Sequence, residues 1–254
     1  MSRYFIEVAY KGTNYSGFQV QENANTIQAE IEKAFAVLHR TNVVLTGSSR
    51  TDAGVHALQN YFHFDFEPDV NKAFLYKMNA ILPQDIVIKA IHPMPEGAHS
   101  RFDATSRSYI YRIHQFKNPF LQDSSFYYPF KLNLQLLQEA AALVKTKTNF
   151  FAFCKTNTQV NNFNCVIKRS EWEVEGSELT YTIEGNRFLR GMVRLLVGSL
   201  LKVGREKLTL LDLESLFQSN TKSGYAAPAQ GLFLEGVHYP ENYFPATDVH
   251  FTRF

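Results

Sequence analysis

Apolar and polar positions mark out two similar successions of strands and helices along the chain. Tyr4-Phe5-Ile6-Glu7-Val8-Ala9-Tyr10 reads as a first strand, and residues 11–18 are turn-rich. Asn25 or Thr26 caps a helix, with Gln28 placed for a capping box from Asn25. Ile27, Ile31, Ala34, Phe35 and Leu38 share one face of that helix. The β-branched run Val43-Val44-Leu45-Thr46 predicts a strand. Residues 61–66 predict a half-buried strand with Phe62, Phe64 and Phe66 on one side. Asp69 or Asn71 starts a second helix with Phe74, Leu75, Met78, Ile81 and Leu82 as its buried stripe, and Pro83 ends it. Residues 86–91 are a further strand. Strand, helix, strand, strand, helix, strand is the split β-α-β order of a ferredoxin-like unit.

The second half shows a looser version of that order. Residues 108–113 read as a strand, and Asn133 caps a helix with Leu137, Ala140, Ala141 and Val144 on one face. Residues 168–174 and 179–184 predict a hairpin around Glu175-Gly176-Ser177. Residues 188–203 predict a long helix stopped by Gly204. A short helix near 210–217 and a last strand over 232–237 complete the chain. The expected fold is α+β, with two ferredoxin-like units over 1–104 and 105–254. Sequence identity between the halves is not visible.

Composition narrows the class. Hydrophobic residues at 45% supply a core, and 22 Phe with 13 Tyr leave a surplus of rings for stacking on bases. A net charge of +2 means any nucleic-acid surface comes from segregated charge. Two cysteines, Cys154 and Cys165, are too few for a disulfide framework or a zinc site. With no signal-peptide pattern and no run long enough for a bilayer, a cytoplasmic protein is the expectation.

The densest chemistry lies in Ser48-Ser49-Arg50-Thr51-Asp52-Ala53-Gly54-Val55-His56-Ala57, between two apolar runs. It holds an arginine, a carboxylate and a histidine within seven positions, and Gly54 permits a tight turn. A turn whose Asp52 caps its own backbone is the plain alternative. The eight residues from Arg50 to Ala57 resemble the signature of the TruA family of tRNA pseudouridine synthases. Four further segments are similar to that family's motifs. They are Tyr10 to Gln19 (through Gly12, Tyr15, Gly17 and Phe18), Arg101 to Tyr111, Phe188 to Arg194, and Gly231 to Pro240. One departure is Ser49, where the family usually has glycine. Another is Arg190-Gly191, where it often has a histidine.

The resemblance implies two α+β domains with the active-site cleft between them, and a role for each matched residue. Asp52 is the catalytic aspartate, acting at the ribose C1′ or through a glycal. Arg194 pairs with it, and a neighbouring arginine such as Arg50 favours its charged form. Tyr109 stacks on the target base, with Tyr111 on the same strand face as the competing tyrosine. Leu234 floors the uracil pocket. Arg187, Arg190 and Arg194 are spaced to share a helical face, and residues 187–207 carry six basic residues against Glu206. Arg187 and Arg190 would meet RNA there, unless the face is merely solvated. The implied substrate is tRNA in the anticodon stem-loop, at positions 38–40, and the implied assembly is a homodimer. No nucleotide-cofactor loop or zinc motif is present, and isomerisation needs no cofactor. The rival readings are a non-catalytic RNA-binding module and a metal-dependent nuclease. The nuclease needs clustered carboxylates, and Asp65 is the only other acid near Asp52 in sequence.

Overall fold

The computed structural model describes residues 1–67, 70–156, 161–246 and 249–250. The chain forms two compact units. One comprises Met1–Thr105 together with the chain from Leu234 onward, and the other is Ser106–Phe233.

The first unit contains β1 (Ser2–Tyr10), α1 (Ile27–His39), β2 (Thr46–Gly47), β3 (His56–Phe66), α2 (Lys72–Ile81) and β4 (Ile86–Met94). β1 pairs antiparallel with both β3 and β4, and β2 pairs antiparallel with β3. The resulting order, β4-β1-β3-β2, is that of a ferredoxin-like unit. Aromatic rings fill its core. Phe35 meets Phe64 edge-on at 4.9 Å, and Phe18 stacks on Phe62 at 4.6 Å. Each fully buried Phe contributes about 1.5–3 kcal/mol, and such ring pairs add roughly 0.5–1.5 kcal/mol.

Four local expectations change here. Thr26 caps α1, its side chain accepting from the Ala29 N–H. Gln28 makes no capping box and instead donates to Glu32 Oε1 and the Leu45 carbonyl. Residues 43–45 are not a strand, because Leu45 has its backbone satisfied by α1. Its N–H donates to Glu32 Oε1 and its carbonyl accepts from Gln28, leaving only the two residues of β2 for the sheet. β3 is buried on both faces over residues 60–64 rather than half-buried. Asn71 caps α2 by accepting from the Phe74 N–H, Asp69 lies outside the described residues, and Ile81 is exposed.

The second unit contains β5 (Ser106–His114), β6 (Phe126–Tyr127), α3 (Leu134–Thr146), β7 (Ile167–Glu175), β8 (Glu178–Gly185), α4 (Met192–Gly204) and α5 (Leu210–Gln218). β5 and β7 each pair antiparallel with β8, and β6 pairs parallel with β5. The order β5-β8-β7 repeats that of β1-β3-β2. α3 buries Leu137, Ala140, Ala141 and Val144, with Asn133 accepting from the Leu136 N–H as its cap.

α4 begins four residues later than expected, at Met192. Gly191 holds a left-handed φ of 72° at its N-cap, and a Cβ there would lie 2.8 Å from Lys155 Cγ. The arginines therefore do not share a helical face: Arg187 and Arg190 precede the helix and only Arg194 lies on it. α4 is buried nearly all round, so it is no solvated amphipathic face. Gly204 does not stop the helix by turning left-handed. It is the last helical residue, where a Cβ would come 2.7 Å from Leu137 Cδ2, and Glu206 takes the positive φ of 58°.

The last strand, β9 (Leu232–His238), lies beside β3. After it Tyr239, Tyr243 and Phe244 pack on the first unit. Phe244 stacks on Tyr61 at 5.2 Å, Tyr243 meets Phe5 at 6.1 Å, and Ala90 bridges His250. This aromatic packing places the stretch after Leu234 with the first unit rather than with the second half of the chain. Among the described residues no helix is long and apolar enough to cross a membrane.

Candidate active site

The loop from Ser48 to Val55 is held by residues far from it in sequence. Asn60, fully buried on β3, donates to the Ser49 carbonyl at 3.0 Å and to the Tyr10 hydroxyl at 3.3 Å. Its Oδ1 accepts from Ser48 Oγ at 2.8 Å and from the Tyr61 N–H. The Tyr10 hydroxyl in turn shares a 2.9 Å hydrogen bond with Thr51 Oγ1. The Thr51 carbonyl accepts from the Phe18 N–H, and Gly54 N–H donates to the Tyr15 carbonyl. Gly54 sits at φ 76°, with Val55 N–H closing a turn onto the Asp52 carbonyl.

The segment from Tyr10 to Phe18 is thus a cradle for this loop. Gly12 and Gly17 are needed for close approach. A Cβ on Gly12 would lie 2.0 Å from the Val55 carbonyl oxygen, and one on Gly17 would lie 3.0 Å from that of Thr51. Tyr15 is anchored by donating to Asp85 Oδ1 at 2.5 Å, and burial followed by that bond raises the phenol well above its usual range.

Ser48, Ser49, Thr51, Val55 and His56 are buried, whereas Asp52 is part-exposed and Arg50 is exposed. Among the described residues Arg50 makes no hydrogen bond or ion pair, so it does not pair with Asp52. His56 opens β3, and its Nδ1 accepts from the Gly12 N–H at 3.0 Å. An accepting Nδ1 requires the neutral ring, which gives this histidine a structural task. Ser49 has no positive φ, and its side chain is buried beside Ser48. The position does not need glycine, and the hydroxyl does not face outward.

The second unit carries the other candidates except Leu234, which belongs to the first. Tyr109 and Tyr111 lie on β5, opposite Ile183 and Tyr181 of β8. Tyr111 is fully buried, donates to the Pro228 carbonyl at 2.8 Å, and packs where a Cβ on Gly231 would come 2.8 Å from its ring. Burial raises its phenol above the ordinary range. Tyr109 retains 8% exposure and meets Phe188 edge-on at 5.0 Å. Arg194 Nε donates to the Ala227 carbonyl at 2.6 Å, and Ala227 N–H donates to the Arg194 carbonyl at 2.9 Å. Arg190 is exposed and Arg187 half-buried. Leu234, on β9, is fully buried.

Sequence reasoning passed over Asn60 and Arg107. Asn60 is an amide inside an apolar strand, which is a signal for a buried polar hub. Arg107 is a buried arginine on the strand of Tyr109, with Nη1 donating to the Asn186 carbonyl at 3.2 Å. Among the described residues no three His, Cys, Asp or Glu side chains are grouped as a metal site needs.

Comparison with known proteins supplies the family. Residues 6–103 and 146–240 match a family model described as tRNA pseudouridine synthase. The tRNA pseudouridine synthase A of Parabacteroides distasonis is 42% identical over 252 residues, covering 98% of this chain and 100% of that one. The protein of the same name from Porphyromonas gingivalis is 39% identical, over 96% of this chain and 100% of its own length. That of Staphylococcus aureus strain JH1 is 34% identical, over 94% and 92%. Matched in both halves and related end to end at these identities, the chain belongs to the tRNA pseudouridine synthase family, a family of isomerases.

Proposed function

We propose that this protein converts uridine to pseudouridine in the anticodon stem-loop of tRNA, at positions 38–40, with Asp52 as its catalytic group. The observation that carries this reading is a part-exposed carboxylate on a loop pinned on both sides by buried residues, Thr51 before it and His56 after it, which hydrogen-bond to Tyr10 and Gly12. Such a loop holds a reacting group in place without covering it.

The reaction breaks the bond from ribose C1′ to uracil N1 and forms one from C1′ to C5. The C5 proton leaves and N1 takes one up, so mass is unchanged and no redox partner or ATP is consumed. A carboxylate serves this by attacking C1′, as in glycosidases, or by removing a ribose proton to give a glycal.

Around it, Tyr109 stacks on the extruded uracil, Leu234 floors the pocket, and Arg50 and Arg194 bind substrate. The buried, satisfied hydroxyl of Tyr111 supports Tyr109 as the stacking ring. The exposure of Arg50, with no ion pair among the described residues, supports a phosphate contact. Arg187 and Arg190 contact RNA from the segment before α4.

The protein works in the cytoplasm as a homodimer. Support for a second copy comes from Phe116 and Phe120, which are 73% and 92% exposed, and from Tyr127 and Phe130, each 43% exposed. Rings of about 150–250 Å² each would leave several hundred Å² of aromatic surface in one stretch. Sedimentation of the free protein at micromolar concentration reads the mass, and a mass of one chain would refute the dimer.

The function itself is tested by tritium release from C5-labelled uridine in tRNA. The wild type releases tritium, and Asp52→Asn does not.

A further inference from the structure

We infer that the Tyr10 hydroxyl, held by Asn60, is a positioning device for the catalytic loop. This rests on Asp52 being the catalytic group, and it assigns a task to two residues that act on the loop through Thr51 and Ser49. The Tyr10 hydroxyl lies between the Asn60 amide at 3.3 Å and Thr51 Oγ1 at 2.9 Å. Thr51 is the residue immediately before Asp52. The same Asn60 amide donates to the Ser49 carbonyl at 3.0 Å, so one buried side chain ties the loop both directly and through Tyr10.

Asn60 is saturated. Its two amide hydrogens go to Ser49 and Tyr10, and its oxygen accepts from Ser48 and Tyr61. Tyr61 is its chain neighbour, which leaves three of the four bonds directed at the loop or at its cradle. Core packing alone would place an apolar residue at this fully buried position. An amide with every hydrogen bond met is costly to replace and fixes one arrangement of its partners. Tyr10 is buried and its ring packs near Phe18, so its phenyl body is held whether or not the hydroxyl is present. Tyr10→Phe therefore removes the hydroxyl's bonds to Thr51 and Asn60 and keeps the shape.

The consequence is kinetic. The loop without the Tyr10–Thr51 link samples more positions, and the carboxylate spends less time where it reacts. Binding of tRNA uses other contacts and is unaffected. The prediction is a fall in kcat of roughly tenfold at unchanged KM for Tyr10→Phe, and for the isosteric Thr51→Val, because small misplacements cost large factors in rate. Since Tyr10→Phe already cuts the link that Thr51→Val removes, the double variant loses no more than Tyr10→Phe alone, a non-additivity diagnostic of one shared interaction.

The experiment measures kcat and KM on tRNA for Tyr10→Phe, Thr51→Val, the double variant and Asp52→Asn, well below each variant's melting temperature. A purely structural role would lower the melting temperature and leave kcat of the folded enzyme alone. The inference is supported if kcat falls in both single variants at constant KM and the effects do not add. It is overturned if kcat is unchanged in either variant, if KM rises instead, or if the losses multiply in the double variant. Activity in Asp52→Asn would refute the catalytic reading beneath it. An inactive Asp52→Asn beside a fully active Tyr10→Phe would refute this inference alone.

Discussion

Gly17 approaches Thr51 so closely that a Cβ on the glycine would lie 3.0 Å from the Thr51 carbonyl oxygen and 3.3 Å from the Ala53 nitrogen. Its φ of 108° lies in a region that side chains rarely adopt. Contact and conformation both demand glycine. Gly17→Ala is expected to destabilise the first unit by about 1–3 kcal/mol through backbone strain. It is also expected to lower turnover beyond what the lost folded fraction explains, because the alanine pushes on the loop that carries Asp52. Urea unfolding alongside single-turnover rates separates the two effects. A variant with wild-type rate and stability would show that the loop yields freely.

The two tyrosines of β5 separate by experiment. Tyr111→Phe leaves the Pro228 carbonyl without its buried donor and should cost about 1–3 kcal/mol of stability with little change in the folded enzyme's rate. Tyr109→Phe keeps a stacking ring and should retain most activity, whereas Tyr109→Leu should lose on the order of 1–3 kcal/mol of base stacking. Thermal melts and kcat/KM for all three variants make the comparison. Greater catalytic damage at Tyr111 than at Tyr109, at equal stability, would reverse the assignment.

Much of this fold was legible in local pattern, and the exceptions share a cause. α3 was readable because its cap, Asn133, and its apolar period agree. The start of α4 was not, because residues 188–191 continue a helical pattern while Gly191 adopts φ 72° against Lys155. Residues 43–45 look like a strand, yet Gln28 and Glu32 of α1 take up the backbone of Leu45. The Asp52 loop was conspicuous as a contiguous run. Its support was hidden, since Tyr10 and Thr51 are 41 residues apart and Gly12 and His56 are 44 apart. Local spacing carries no information about such pairs.

Arg187 and Arg190 precede α4, and their contribution to RNA binding should be electrostatic. Replacing both by Ala should weaken tRNA binding whatever its sequence. It should also flatten the log–log salt dependence by roughly one unit per lost phosphate contact. Titrations at several salt concentrations read the slope. An unchanged slope would leave these arginines as solvated charges.

Stability should fall in mild acid, and His63 is a leading reason. Burial, then the positive neighbours Arg3 and His99, lowers its pKa from 6.5 to about 4, against the opposing pull of Asp65 and Asp103. Its Nδ1 accepts from the Ser100 N–H at 3.2 Å, which the neutral ring permits. Because the folded pKa is depressed, the unfolded chain binds the proton first. The stabilising effect is present above pH 6.5 and is lost as pH falls towards 4. Burial also lowers His92, His99 and His114, which adds slope in the same direction. His63→Gln should reduce the dependence of unfolding free energy on pH by about one proton between pH 5 and 6. Denaturant melts across that range test it, and an unchanged slope would remove His63 from the account.

The most direct test of the central claim is tritium release from C5-labelled uridine in tRNA by wild type and Asp52→Asn, assayed in chelator without ATP or nicotinamide. The amide keeps the shape of the side chain and removes its charge, so folding should change by no more than about 1 kcal/mol at this part-exposed position. RNA affinity should hold or rise. The account predicts release by the wild type, with a product of unchanged mass, and none by the variant, since an amide replaces a carboxylate neither as nucleophile nor as base. Substantial release by Asp52→Asn would contradict the catalytic assignment, and no release by the wild type on any tRNA would contradict the proposed activity itself.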